Sequence, residues 1–402
     1  LMLSVEDARA RILAAIRPLP AEVVSVERAL GRVLAADMSA RVNQPPRDVS
    51  AMDGYAVRAV DIEAAPVTMP IVGEVPAGGD FGRAIGPGEA VRIFTGAPLP
   101  GGADTIVIQE NAARDGDKVT VQQGEPAGRW VRPAGLDFRA GSVGLHAGRR
   151  LTARDVGLAA AMNRPWVSVR RKPRVAVLAT GNEVVLPGEE LASSQIVSSN
   201  GYALSAFIEA CGGEPLHLGV APDTKDGLRE MLAGAAHADL LLTSGGVSVG
   251  EHDLVQTVLQ EMGADLGFWK IAVRPGKPLM LADLHGTPVI GLPGNPVSGL
   301  VCSVLFVRPA IDRMLGRAAP AEPRLRALAG RELGANGPRQ DYMRCSLMHD
   351  DAGNRIATPF DKQDSSMLSR LAEADALLVR APHAAALPAG SAVEVVPLDG
   401  GI

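Results

Sequence analysis

Four short polar segments, each following an apolar run of strand length, carry the residues best suited to chemistry. Thr180-Gly181-Asn182-Glu183 follows the run from Val175 to Ala179, and Ala221-Pro222-Asp223 follows Leu216 to Val220. The stretch from Ser244 to Asp253 follows Leu240 to Thr243, and Pro293-Gly294-Asn295-Pro296 follows Val289 to Leu292. In an open α/β sheet, ligands bind beyond the carboxyl ends of the strands. Gly181, Gly245, Gly246 and Gly250 would let backbone N–H groups come close to a ligand, with Ser244 and Ser248 between them. Helices expected after Asp253 and after Pro296 would turn their positive ends toward it. An anion, in particular a phosphate, suits such a place. Glu183, Asp223 and Asp253 would then hold a hard cation such as Mg²⁺ between themselves and the phosphates. Any one of these residues alone could be no more than a cap or a turn; four such segments at one sheet are harder to assign to structure alone.

Lys270, Arg274 and Lys277 add three cations within eight positions. In an extended segment Lys270 and Arg274 would share a face. The plainer alternative is a strand edge protected by charge. His252 has no second His or Cys at ligand spacing, and neither G-x-x-x-x-G-K-[ST] nor H-E-x-x-H occurs. A rival chemistry is open: Gly246-Val247-Ser248-Val249-Gly250 matches a nucleophile elbow, with Asp283 and one of His285, His349 or His383 to complete a serine-hydrolase triad. Against it, Ser244-Gly245 separate the motif from its strand, and Glu251 and Asp253 bring negative charge that a hydrolase does not need.

The elements that must position these residues follow from periodicity. Val5, Ala8, Ile12 and Ile16 recur at helical spacing behind Ser4 and Asp7, so the chain opens with an amphipathic helix. From about residue 47 to 141 short β-branched pieces cut by Gly and Pro indicate a small β-rich domain, and Thr152 and Asp155 begin another helix. From Arg174 continuous apolar strands alternate with helices, the pattern of a parallel sheet covered on both faces. Residues 297 to 315 read as one helix kinked at Pro309. Beyond Pro323 five short strands imply a β-barrel-like domain.

The chain has 402 residues, room for two to four domains. Its 45 acidic and 40 basic side chains give a net charge of −5, with no basic block longer than Arg170-Arg171-Lys172, which argues against a nucleic-acid partner. No apolar run approaches the ~20 residues that span a bilayer. The acidic start is unlike a secretory signal, so a cytoplasmic protein with no membrane partner is expected. Cys211, Cys302 and Cys345 are far apart and read as buried free thiols.

These motifs together resemble the MoeA family, the molybdopterin molybdenumtransferases, related to the C-terminal part of gephyrin. The resemblance spans nearly the whole chain: Ser50 to Ala56, Arg92 to Ala97, Arg132, Gly135 and Asp137, then Ala179 to Glu183, Thr243 to Asp253, Arg274 to Pro278, and Gly291 to Ser298. It implies a multidomain α/β and β fold: residues 1–45 with 142–172 as a helical, dimer-forming domain; 46–141 as an inserted β domain; 173–320 as an α/β molybdopterin-binding domain, similar to the molybdopterin adenylyltransferases; and 321–402 as a C-terminal β-barrel domain. It also implies a homodimer that uses Mg²⁺, takes molybdate and adenylylated molybdopterin, inserts molybdenum and releases AMP. A molybdopterin adenylyltransferase and molybdoenzyme-maturation proteins would be its protein partners. By position Asp53, Thr95 and Asp137 would be the inserted-domain side of a cleft shared between subunits. Glu183, Asp223 and Asp253 would serve the Mg²⁺-dependent cleavage, and Lys270, Arg274, Lys277, Pro293 and Pro296 the substrate and oxyanion side, with Asn295 between the prolines. Arg274 stands where many members have Lys, Asn182 where many have Asp, and Leu136 where an acid is common. A carrier that binds the pterin unchanged is the non-catalytic alternative.

Overall fold

The computed structural model of the chain describes residues 2–246, 254–317 and 323–399. The chain divides into two compact units, residues 1–22, 31–35 and 169–402 in the first and 23–30 with 36–168 in the second. Helix α1 (Val5–Ala15) starts as its sequence dictates, with Ser4 Oγ accepting the Asp7 N–H at 3.0 Å. Val5, Ala8, Ile12 and Ile16 are buried in the core of the first unit, which they share with Phe306, Val307 and Ile311.

In the second unit, β1 (Met38–Ser39) and β2 (Val49–Ser50) precede a compact sheet. It consists of β3 (Gly54–Val57), β4 (Val67–Val75), β5 (Ala90–Ile93), β6 (Thr105–Ile108), β7 (Ala112–Asp115) and β8 (Lys118–Val121), in the spatial order β6-β3-β5-β4-β8-β7. Alternation assigns its two cores: Tyr55, Val57 and Val107 point to one, Ala56, Val91 and Ile106 to the other. The period-two pattern locates β4, β5, β6 and β8 but not β3 or β7, whose Gly-Tyr-Ala-Val and Ala-Ala-Arg-Asp have too little β-branched character to stand out. Gly54 is required there, because a Cβ would collide with the Val107 carbonyl oxygen. Strand β9 (Val131–Arg132) pairs with β2, and β10 (Val143–Leu145) pairs with β1. Helix α2 (Ala153–Ala161) follows, its start closed by reciprocal bonds between Thr152 and Asp155.

The first unit resumes with the α/β layer: β11 (Arg174–Thr180), α3 (Asn200–Ala210), β12 (Glu214–Ala221), α4 (Lys225–Ala233), β13 (Leu240–Ser244), α5 (Leu254–Glu261) and β14 (Asp265–Lys270). After the two-residue β15 (Val273–Arg274) come β16 (Pro278–Leu284), β17 (Thr287–Leu292) and α6 (Pro296–Cys302). The sheet order is β12-β11-β13-β17-β16-β14. Its first four strands are parallel, as expected; β16 runs antiparallel to both of its neighbours, β17 and β14, which the sequence did not suggest. The cause is the two-residue turn His285-Gly286, with φ of 54° and 90°, which can join only antiparallel neighbours. The expected single helix over 297–315 is instead α6, a π-bonded stretch over Ser303–Val307, and α7 (Arg308–Met314). The π stretch ends just before Pro309, whose missing N–H cannot continue a regular ladder.

Five strands complete the unit: β18 (Leu325–Ala329), β19 (Gln340–His349), β20 (Arg355–Pro359), β21 (Ala376–Arg380) and β22 (Ala392–Pro397). They form the order β19-β20-β18-β22-β21, and β21 pairs back with β19 to close a barrel; β15 adds to the outer edge of β19. The barrel interior is narrow and filled by Ala327, Ala329, Cys345, Ala357, Ala376 and Leu378. All three cysteines are buried and outside any disulfide, as expected. Among the described residues no helix is long and apolar enough to cross a membrane.

Gly54→Ala should cost about 1–3 kcal/mol through overpacking against the β6 backbone. The check is a fall in the chemical-denaturation midpoint that Gly334→Ala, at a position with open space around it and no positive φ, does not produce to the same degree.

Candidate active site

Chain order runs from β11 outward to β12 and then across to β13, on the other side of β11, so the strand order reverses beside β11. A crevice forms at such a switch point. Here a cavity of about 1460 Å³ lies beyond the strand ends. Thr180, Gly181 and Glu183 line it after β11, Asp223 after β12, Ser244, Gly245 and Gly246 at the end of β13, and Pro293, Gly294, Asn295 and Pro296 after β17. Arg274 and Lys277 line it too. The structure thus brings together thirteen of the positions singled out in the sequence. Ser248, Gly250 and Asp253 lie outside the described residues.

Lys270 is not among the cavity's lining residues. The segment from Lys270 to Lys277 is no single strand: β14 ends at Lys270, and the Ile271 N–H donates to the Lys277 carbonyl at 2.8 Å, closing a loop. Lys270 instead gives its own carbonyl to the Leu3 N–H at 2.9 Å. Gly276, at φ 110°, sits on Cys302 Sγ with no room for a Cβ, and the thiol contacts the Gly276 carbonyl at 3.7 Å. Burial pushes that thiol up to about 12.

The barrel supplies a wall that the sequence did not reveal. Arg339, Gln363, Asp364, Ser365 and Ser366 line the same cavity. The only signal was a polar run, Lys362 to Ser366, between two strands. This run is held from beneath by Arg344, 1% exposed, whose guanidinium donates to Met367 O at 3.0 Å and to Gln363 Oε1 at 3.3 Å. Ser365 in turn accepts the Val297 N–H at 3.1 Å, tying the run to the start of α6. Asp364 is held below the usual carboxylate range by bonds from the Ser366 hydroxyl and amide. Arg274 is tied to the buried Asp341 of β19, so part of its charge is already answered.

Two carboxylates, Glu183 and Asp223, line the cavity, and among the described residues no group of three or more His, Cys, Asp or Glu side chains is placed to hold a metal ion. Asn182 and Asp223 exchange bonds, Asn182 N–H to Asp223 Oδ2 at 3.1 Å and Asp223 N–H to Asn182 Oδ1 at 3.0 Å. This fixes Asp223 and spares its Oδ1. The Glu183 carboxylate folds over Gly181, where a Cβ would lie 2.7 Å from Oε2. Oxygen donors on two neighbouring strand ends are the set that Mg²⁺ prefers. The hydrolase arrangement gains no support: Ser248 lies outside the described residues, and no described lining residue is a histidine. Asp283 and His285 flank the hairpin turn at the far end of β17, about 13 Å from the cavity end.

Within the second unit Asp53 and Thr95 meet: the Thr95 N–H and Oγ1–H both donate to Asp53 Oδ1, at 2.7 and 2.8 Å. These bonds, the backbone one foremost, hold the Asp53 carboxyl below its ordinary value. Arg92, between the rings of Tyr55 and Phe94 at 5.1 and 4.9 Å, adds positive potential. A second cavity, about 480 Å³, is lined by Asp137, Arg47, Arg132 and Gly96, the residue after Thr95.

Residues 3–163 match the family region described as MoeA N-terminal, domains I and II; 176–313 match a probable molybdopterin binding domain; and 326–398 match the MoeA C-terminal region, domain IV. A molybdopterin molybdenumtransferase of Nostoc is 38% identical over 89% of this chain and 84% of its own length. One from Haemophilus influenzae is 33% identical over 99% of both. The structure of a molybdopterin biosynthesis MoeA protein from Pyrococcus horikoshii superposes with a TM-score of 0.87 at 33% identity, over 99% of this chain and 100% of that one.

Thr95→Val should move the Asp53 pKa upward, since the hydroxyl bond to the charged form is lost while the backbone bond stays. Carboxyl-carbon NMR titration of the two proteins measures it, and an unchanged midpoint would contradict the assignment.

Proposed function

The chain belongs to the MoeA family of molybdopterin molybdenumtransferases, and we propose that the large cavity beyond β11, β13 and β17 is where it inserts molybdenum from molybdate into adenylylated molybdopterin, with release of AMP. One observation carries this reading. A single cavity presents close-approach loops at Gly181, Gly245 and Gly246 with Glu183 and Asp223 on one side, and Lys277, Arg339 and the partly neutralised Arg274 on the other. Molybdate is a dianion that must approach a polyphosphate. Cations at fixed positions lower that repulsion, and they do so more effectively in a cavity than in open water.

In this reading Lys277 and Arg339 draw the oxyanion in, and the compact ammonium of Lys277 accepts it from several directions. Ser244 and the backbone amide at 246 receive the phosphate side. Pro293 and Pro296 hold Asn295 in a fixed turn beside it. Glu183 and Asp223, with Asp253, would hold Mg²⁺, which when bound supplies positive charge for the oxygen that leaves with AMP. Asp53, Thr95 and Asp137 serve the same reaction from the second unit of a partner subunit in a homodimer, and Lys270 adds cationic potential from outside the cavity.

The division into a helical domain of 1–45 with 142–172, an inserted domain of 46–141, an α/β domain of 173–320 and a barrel of 321–402 belongs to the same proposal. It is supported by Ser39 pairing with Val143 across the insertion and by the barrel closure of β19 with β21. The reaction belongs in the cytoplasm, beside the adenylyltransferase that makes the substrate and the maturation proteins that receive the product.

The purified protein given adenylylated molybdopterin, Mg²⁺ and molybdate should release AMP; none above a protein-free control would favour a carrier. Labelling of Ser248 by a fluorophosphonate would restore the hydrolase. Lys277→Ala should raise half-saturating molybdate about 10- to 100-fold, the worth of a hydrogen bond to a charged group. Glu183→Gln should instead lower the rate by a similar factor at saturating molybdate. Mixing inactive Asp53→Ala and Asp223→Ala proteins should restore part of the activity through hybrid dimers, and no recovery would count against a shared site.

A further inference from the structure

Asn200, the first residue of α3, lies in the large cavity without belonging to any motif read from the sequence. Its Nδ2 donates to Ser244 Oγ at 2.7 Å and to the Gly294 carbonyl oxygen at 2.7 Å. A carbonyl oxygen can only accept, so the Gly294 contact fixes which end of the amide is nitrogen. The same nitrogen therefore donates to Ser244 as well. Ser244 Oγ, buried at the end of β13, then acts toward Asn200 as an acceptor, and its single proton is left for another partner. The surrounding backbone is already committed: the Gly245 N–H donates to the Leu292 carbonyl at 3.1 Å, and Gly294 packs against Gly245. One side chain thus ties the loop after β13 to the loop after β17 and settles the direction of a hydroxyl at the cavity wall.

We propose that Asn200 is a positioning residue that presents the Ser244 hydroxyl as a donor to an anionic oxygen of the bound substrate. The inference rests on the reading of this cavity as the substrate site. A carboxylate at position 200 would reverse the polarity, accepting the Ser244 proton and repelling the Gly294 oxygen. An alanine would leave the hydroxyl free to turn.

The test is a double-mutant cycle on AMP release with Asn200→Ala, Ser244→Ala and the pair, with circular dichroism as the check of folding. Each single variant should raise KM for adenylylated molybdopterin about tenfold with kcat within about twofold. The double variant should be no more than about twofold worse than Ser244→Ala alone, because Asn200 acts through that hydroxyl. Penalties that multiply to about a hundredfold, or a loss of kcat with KM unchanged, overturn the inference. Asn200→Asp has the same shape and serves where the alanine protein does not fold. It should also raise KM about tenfold or more in the Ser244 background, and an unchanged KM overturns the role. Wild-type activity is measured beside the variants, so failure of the substrate reading appears as absent AMP release in the parent, apart from any result of the cycle.

Discussion

The sheet of the first unit can keep water from both faces only by sending alternate side chains into separate helical layers. Val175, Val177, Leu240, Leu242 and Ile290 go to the layer that contains α1, α3, α6 and α7. Ala176, Leu178, Leu241 and Val289 go to the layer of α4 and α5. A slip of one residue in any strand would exchange the two sets, so the register is fixed by burial. With register fixed, the ends of β11, β13 and β17 are fixed as well, and the polar segments that follow must converge at one edge. The cavity follows from how the sheet is kept dry.

The barrel answers a different need. A sheet end with only loops above it is open to solvent, and cations there would be screened. Strand β15 pairs with β19, which brings Arg339 and the run from Gln363 to Ser366 to the same cavity. Arg344 is a costly device for this purpose, since a buried guanidinium must find hydrogen bonds to offset its lost hydration. It finds them in the carbonyls and amide oxygen of that run, so the charge is spent on shaping a loop that has no regular structure of its own.

The parts legible in the sequence were local: the strand ends with their Gly, Ser and carboxylate residues, the caps at Ser4 and Thr152, and the five barrel strands. The parts that were not legible depend on partners far along the chain. Asn200 looks like an ordinary first residue of a helix until Ser244 and Gly294 are placed beside it. Arg339 precedes a strand as many arginines do, and only the pairing of β15 with β19 gives it a role. Lys270 shows the converse error, in which spacing within one segment was read as a shared face although the segment turns back at Ile271. The antiparallel pair β16 and β17 was hidden because its turn residues, His285 and Gly286, are not among the commonest hairpin dipeptides.

The seat of Gly276 on Cys302 limits how the loop above it can move. A fully buried sulfur atom stands under the loop that carries Arg274 and Lys277 to the cavity. Only a thiolate is a competent metal ligand. Burial disfavours the thiolate of Cys302, so the side chain offers packing without offering coordination. The sulfur thereby acts as a fixed seat for the loop, and any larger residue at 276 would have to lift Arg274 and Lys277 off it.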